Sequence, residues 1–153
     1  MLLPAQPSDH HLLSQLTKLS KAYWGYSAAQ ITAWSEDLTI SEAYITNNWV
    51  YKYVENRQII GYYALVRQQK KTMLLDNLFI LPAEIGKGYG SLLLAAAIVA
   101  AKAQGATSIM LHADPHATAF YEKKGFEVVG QLPTSIANRF LPILAIDLGM
   151  RRE

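Results

Sequence analysis

The sequence predicts an α/β chain in which a mixed, mostly antiparallel sheet of six to seven strands is flanked by about four to five helices. Three observations predict it. Two β-rich runs, Trp49 to Val54 and Gln58 to Val66, are separated only by Glu55-Asn56-Arg57, which by length and composition is a hairpin connection. The apolar run Met73 to Leu81 then passes through three alternating glycines into the Leu- and Ala-rich segment Ser91 to Gln104, a strand feeding a buried helix. After these come a further strand, a short helix and two more strands. Sequential antiparallel strands followed by helix, strand, helix and two strands give a mixed sheet with helices on both faces.

Each element has its own local signal. Ser8 stands where it can cap a first helix, with Leu12, Leu13, Leu16 and Leu19 on one face and Asp9 near the positive end of the dipole. A second short helix follows Ser27, and a third covers Ser41 to Asn47. A turn at Gln68 to Lys71 leads into the strand that ends at Leu81. Thr107 to Ala113 reads as the next strand. Pro115 can start the short helix after it, and Gly125 can end that helix. The last strands, Glu127 to Leu132 and Phe140 to Leu148, are joined by a loop containing Pro133-Thr134-Ser135. Pro142 lies inside the final run and cannot donate to a ladder, so an edge position or a bulge is expected there. No repeat, linker or low-complexity tract divides the chain, and residues 1–153 are expected to form a single domain.

Composition narrows the classes. The chain has 153 residues, 51% of them hydrophobic, enough for one core. Fourteen basic and twelve acidic residues leave a net charge of +2, and the lysines are scattered, so no nucleic-acid partner is expected. There is no cysteine, which excludes disulfides and thiolate chemistry and fits a cytoplasmic protein. No basic region followed by a long apolar core marks a signal peptide. The longest apolar run, Leu92 to Ala101, is far short of the roughly 20 residues that span a bilayer. A cytoplasmic location without membrane contact is the expectation.

The stretch Ile80-Leu81-Pro82-Ala83-Glu84-Ile85-Gly86-Lys87-Gly88-Tyr89-Gly90-Ser91 carries the chemistry. Glycines between strand and helix allow a tight turn and a close ligand approach. The first helical N–H groups are unpaired there and attract an anion, usually phosphate. The spacing Gly86-x-Gly88-x-Gly90 is not G-x-G-x-x-G. Nor is it G-x-x-x-x-G-K-[ST], since Lys87 lies among the glycines. An ordinary strand-to-helix turn that binds nothing stays open on this loop alone. A second stretch, His112-Ala113-Asp114-Pro115-His116-Ala117-Thr118-Ala119-Phe120-Tyr121-Glu122-Lys123-Lys124-Gly125-Phe126, follows one helix and one strand later.

Together the two stretches resemble the GNAT N-acetyltransferase superfamily. The first is similar to its acetyl-coenzyme A pyrophosphate loop, Q/R-x-x-G-x-G/A. The second is similar to its A-x-x-F-Y-x-x-x-G-F segment, through Ala117, Phe120, Tyr121, Gly125 and Phe126. The likeness is clearest from Leu74 to Leu148 and extends more weakly to the start. Two positions depart from it. The leading Gln or Arg of the loop falls on Ile85, and the Asn three residues before the Ala falls on Asp114, which accepts but does not donate hydrogen bonds.

The resemblance implies acetyl transfer from acetyl-coenzyme A to a primary amine, of a small molecule or a protein, by direct attack in a ternary complex. It implies coenzyme contacts from Phe79, Ile80, Ile85, Gly86, Lys87, Gly88, Tyr89, Gly90, Ser91, Asp114, His116 and Phe120. Phe79 and Ile80 fall where the family's fourth strand splays from the fifth, so that backbone groups pair with the pantetheine amides. Two physical demands accompany the reaction. An amine of pKa about 10.4 is only about one part in 2,500 neutral at pH 7, a cost of about 4.6 kcal/mol. The leaving thiolate needs a proton donor. The family role of the F-Y tyrosine at the thioester sulfur maps onto Tyr121, whose phenol stays protonated at pH 7; a packed aromatic with a backbone partner is the alternative. Asp76 is the candidate base, better if burial raises its pKa; a solvent-facing or lysine-paired carboxylate is equally open.

Tyr23, Trp24 and Tyr26, with Trp34 and Tyr44, fall in helices that in this family often shape the acceptor site, where aromatic faces can hold an ammonium group; core and rim packing is the plainer reading. Arg139 stands where it can meet an acceptor carboxylate or merely end a loop. His112 and His116 are four apart, but Pro115 breaks a shared helical face and no third ligand is evident, so no metal is expected. A homodimer is a common family state that nothing in these residues selects. A non-catalytic acyl-coenzyme A-binding module is the competing function, favoured by Ile85 and Asp114 and opposed by Tyr121.

Overall fold

Seven strands hydrogen-bond in the order β1-β2-β3-β4-β5-β7-β6 in a computed structural model that describes residues 1–133 and 140–149. The strands are β1 (Leu2–Pro4), β2 (Trp49–Glu55), β3 (Gln58–Gln69), β4 (Thr72–Ile80), β5 (Ser108–His112), β6 (Glu127–Pro133) and β7 (Phe140–Asp147). The helices are α1 (His10–Tyr23), α2 (Ala28–Ala33), α3 (Glu42–Asn47), α4 (Tyr89–Ala103) and α5 (Thr118–Lys123). This is the α/β class with the mixed sheet that the sequence predicts. The chain gathers into two compact units, Met1–Leu65 with Asn77–Ala97, and Val66–Asp76 with Ile98–Glu153.

In the first unit, β1 runs antiparallel to β2, and β2 to β3. The hairpin loop is only Asn56-Arg57, because Glu55 still pairs with Gln58. Both loop residues are left-handed, at φ 49° and 64°, the turn whose twist matches paired strands. The core joins Leu13, Leu16, Ile40, Ile45, Val50, Tyr62 and Ala64. Ser27 caps α2 by accepting from Gln30 N–H at 3.1 Å, and Ser41 caps α3 by accepting from Tyr44 N–H at 3.0 Å.

The first helix departs from expectation in two ways. Ser8 is exposed and does not cap it. Instead Asp9 accepts the Gln6 N–H at 2.8 Å and the Lys52 ammonium at 2.7 Å. The buried face is also rotated: Leu13 and Leu16 are buried with Ser14, Thr17 and Ser20, while Leu12 and Leu19 face water. Small hydroxyl residues can line this face because each satisfies itself. Ser14 Oγ donates to His10 O at 2.7 Å and accepts from Ile40 N–H at 2.8 Å. Thr17 Oγ1 gives its proton to Leu13 O at 2.7 Å, so in its 2.6 Å contact with Tyr62 the phenol is the donor.

In the second unit, β4 and β5 are parallel, and β7 runs antiparallel to both β5 and β6. Pro142 is neither at an edge nor in a bulge: β7 lies between β5 and β6, and the bulge is in β6 at Val128/Gly130. The proline falls one step past the last β5 pair, His112 with Ile143, so its missing N–H removes only one bond at the end of that ladder. Its carbonyl accepts from Ala113 N–H at 2.9 Å.

Gly61 on β3 marks the tightest backbone approach in the first unit. A Cβ there would lie 2.7 Å from Phe79 O and 2.7 Å from Ile80 Cδ1. Gly61→Ala is expected to lower the unfolding free energy by roughly 1–3 kcal/mol, the cost of forced overpacking. Urea denaturation checks it; an unchanged midpoint would mean that the end of β4 yields without strain.

Candidate active site

The glycine loop is shaped by two left-handed residues. After a 3-10 turn at Pro82–Glu84, Ile85 is extended, and Gly86 and Gly88 both take φ of 89°. A Cβ on either would meet nothing within 4 Å, so glycine is required by conformation and the space beside the backbone is open. Helical bonding in α4 begins when Leu92 N–H donates to Gly88 O at 3.1 Å. The helix therefore starts at Tyr89, two residues before the sequence suggests, and Gly90 is inside it. The N–H groups of Tyr89, Gly90 and Ser91 have no helical carbonyl behind them and carry the positive end of the dipole.

Side chains add less to this loop. The Lys87 ammonium pairs with Glu84 at 3.2 Å, and Ile85 brings no polar group. The Tyr89 ring leans on Tyr53 at 5.3 Å between centroids, fixing the first turn of α4. What this loop offers is thus mainly its backbone.

Strand β4 leads into the loop. Its pairing with β5 covers only Thr72 to Leu74 against Ser108 to Met110, although β4 continues to Ile80 and β5 to His112. Phe79 and Ile80 lie half-buried on the unpaired continuation. Phe79 rests against the Tyr62 ring at 6.2 Å. Asp76 is exposed, the solvent-facing one of the placements that the sequence left open. Its neighbour Asn77 is half-buried and donates to the Tyr44 hydroxyl at 3.0 Å.

The aromatic residues expected at the acceptor are divided. Tyr23 and Trp24 are exposed and touch edge to face at 5.0 Å. Tyr26 packs edge to face on Trp34, also at 5.0 Å. The Lys21 ammonium stands 5.7 Å from the Tyr26 ring and 5.9 Å from the Phe79 ring. Tyr26 therefore already meets a cation of the chain itself. Sequence reasoning missed Lys21 and Asn77, which meet Phe79 and Tyr44 from far along the chain. Arg139 lies outside the described residues.

The second stretch folds around Asp114. Its Oδ1 accepts from His116 N–H at 2.9 Å and lies 2.7 Å from His116 Nδ1, which holds the 3-10 turn Pro115–Ala117 ahead of α5. Gly125, at φ 99°, ends the helix, with Phe126 N–H returning to Tyr121 O at 3.1 Å. Tyr121 is buried, with Phe120 and Phe126 edge-on to it at 5.1 and 5.6 Å. Burial pushes its phenol above the ordinary value of 10.0, so it holds its proton well beyond neutral pH. His112 and His116 are both exposed. Among the described residues no three His, Asp or Glu side chains are placed to hold a metal ion. No helix among them is long and apolar enough to cross a membrane.

An open helix terminus and a protonated, buried phenol are the two chemical assets. A family model described as an acetyltransferase (GNAT) domain matches residues 15–140. The chain belongs to the GNAT acetyltransferase family. No curated protein matches it at the same standard. Among solved structures, the GNAT chain is similar to the PaiA N-acetyltransferase of Thermoplasma acidophilum in complex with coenzyme A, at 20% identity and a TM-score of 0.80, over 96% of this chain and 98% of that one. It is similar to an aminoglycoside 6′-N-acetyltransferase complexed with coenzyme A, at 16% identity and 0.75, over 100% and 99%. It is also similar to the ribosomal-protein-S18-alanine N-acetyltransferase of Escherichia coli, at 17% identity and 0.74, over 100% and 96%. At these identities the likeness is one of fold.

Replacing Gly88 with Ala is expected to lower the stability of the free GNAT chain by roughly 1–2 kcal/mol through left-handed strain alone. Chemical denaturation measures it; a wild-type value would show that the loop relaxes without a penalty.

Proposed function

We propose that residues 1–153 act as one acetyl-coenzyme A-dependent N-acetyltransferase domain that acylates a primary amine of a small molecule or a protein by direct attack. The observation that carries the reading is the left-handed glycine pair that leaves the N–H groups of Tyr89, Gly90 and Ser91 open at the start of α4. These donors suit the diphosphate of coenzyme A, and they do not depend on the side chain missing at Ile85. Gly86, Lys87 and Gly88 complete the turn around it. The short β4–β5 pairing leaves backbone groups near Phe79 and Ile80 to pair with the pantetheine amides. Asp114, His116 and Phe120 flank the same arm.

In the transfer itself the neutral amine attacks the thioester carbonyl, and the carbon–sulfur bond breaks with the electron pair leaving on sulfur. Tyr121 suits the donor role: a phenol kept protonated by burial hydrogen-bonds to the departing thiolate, which takes its proton from solvent. The amine's own proton leaves to solvent, with exposed Asp76 as the nearest acid on β4 to receive it through water. Tyr23, Trp24, Tyr26 and Arg139 remain the proposed acceptor contacts. Two structural neighbours are named for an aminoglycoside and for a ribosomal-protein alanine, which brackets the range from small amine to protein. The cysteine-free composition fits a reducing cytoplasm.

A non-catalytic acyl-coenzyme A-binding module is the second reading, favoured by the Asp114 carboxylate being engaged with His116. Incubation with acetyl-coenzyme A and a panel of amines, followed by free thiol, separates the two. Thiol release above background with at least one amine is expected; tight coenzyme binding with none would leave the binding module. Tyr121→Phe is expected to lower kcat at least ~10-fold with coenzyme affinity unchanged. Full turnover by that variant would remove the phenol from the reaction.

A further inference from the structure

A cleft of about 590 Å³ opens on the second unit, within the roughly 300–1,000 Å³ that small-molecule sites occupy. Lys71, from the turn before β4, lines it with Ser108 of β5, Ala145 and Asp147 of β7, and Glu127 and Val129 of β6. Strand register sets the arrangement. Ser108 stands opposite Asp147 across the β5–β7 ladder, and Ala145 opposite Glu127 across β7–β6. Positions 145 and 147 are two apart on β7, so these four side chains share one face of the sheet. Ser108 and Ala145 are small, and the longer side chains stand around them.

Charge is sorted along this cleft. Lys71 O accepts Thr107 N–H at 2.8 Å and Ser108 N–H at 3.3 Å, which ties the lysine to the start of β5. The Ser108 hydroxyl lies 3.0 Å from Thr72 Oγ1 at the same end. Asp147 comes next, its Oδ1 fixed by Gly149 N–H at 2.8 Å. Glu127 lies on the outermost strand, a diagonal neighbour of Asp147 with stems about 7–8 Å apart. Ala145 and Val129 supply apolar surface beside it. Among the described residues, the Lys71 ammonium and the Glu127 carboxylate make no ion pair or hydrogen bond with the chain.

A molecule with one anionic and two cationic groups, joined by methylenes, matches these charges one for one. We propose that the cleft binds a dibasic α-amino acid. Its carboxylate meets Lys71 Nζ and the Ser108 hydroxyl, and its α-ammonium meets Asp147. Its methylenes cross Ala145 and Val129, and its terminal ammonium reaches Glu127. Pairing of this kind offsets the repulsion between two carboxylates on one face. The site shares no residue with the glycine loop or with α5, so it is a second site beyond the acetyl-transfer reading.

The test uses the full chain and three probes: free lysine, norleucine, which lacks the terminal ammonium, and cadaverine, which lacks the carboxylate. Calorimetry gives affinities, and amide NMR shifts locate the binding. Lysine is expected to bind at one equivalent and to move the amides of Ser108 and Ala145. Norleucine and cadaverine should each bind at least ~10-fold more weakly, the loss of one charge-assisted contact. Glu127→Gln should bind lysine no better than wild type binds norleucine, and Lys71→Met no better than wild type binds cadaverine. Both side chains are exposed, so the two variants should keep the wild-type Tm; the probe series on wild type decides the matter without them. Absence of lysine binding, norleucine or cadaverine binding as tightly as lysine, or undiminished lysine affinity in Glu127→Gln would each overturn the assignment.

Discussion

Two backbone angles, φ of 89° at Gly86 and again at Gly88, decide where α4 begins and therefore which amides it leaves open. An L side chain at either position would be driven toward ordinary negative φ, and the loop would no longer deliver the chain into the helix at Tyr89. Everything proposed about coenzyme recognition follows from that geometry and from the dipole behind it. It also explains why Ile85 is tolerable where relatives place a polar residue. A site built from main-chain donors is indifferent to the side chain beside it, so long as the turn is kept.

The chemistry divides between a tightly held group and loosely held ones. Tyr121 is buried between two aromatic edges, which both aims it and keeps its proton on. Asp76, by contrast, faces water. On the reading proposed above, Tyr121 assists the leaving group and deprotonation of the amine is left to solvent. The energetic problem of a protonated amine at neutral pH is then met by which acceptor is chosen, more than by a dedicated base.

Local signals in the sequence were readable and tertiary ones were not. The short helices at Ser27 and Ser41 and the hairpin at Glu55-Asn56-Arg57 depend on residues within a few positions and form where expected, although the cap expected at Ser8 does not. The buried face of α1 was misread, because Thr17 is buried through a phenol that lies 45 residues away and Ser14 through the backbone of Ile40. No helical periodicity carries such information. Asp76 was ambiguous for a related reason: an acid in an apolar strand points inward or outward according to register, and neither register nor bulges are written locally. Asn77 and Lys21 gained their partners Tyr44, Tyr26 and Phe79 only through folding. Pro142, expected at an edge or a bulge, instead sits at the end of the β5 ladder, where only the reciprocal bond to Ala113 is lost.

The outermost strand, β6, leaves Val128, Val129 and Leu132 open to water at the margin of the sheet. Such a margin is a template for adding another chain's backbone, and proteins usually blunt it. Here the kink at Val128/Gly130 and the proline that closes the strand at position 133 confine any flat, greasy stretch to a few residues. A single lysine introduced within this short strip would blunt the margin further.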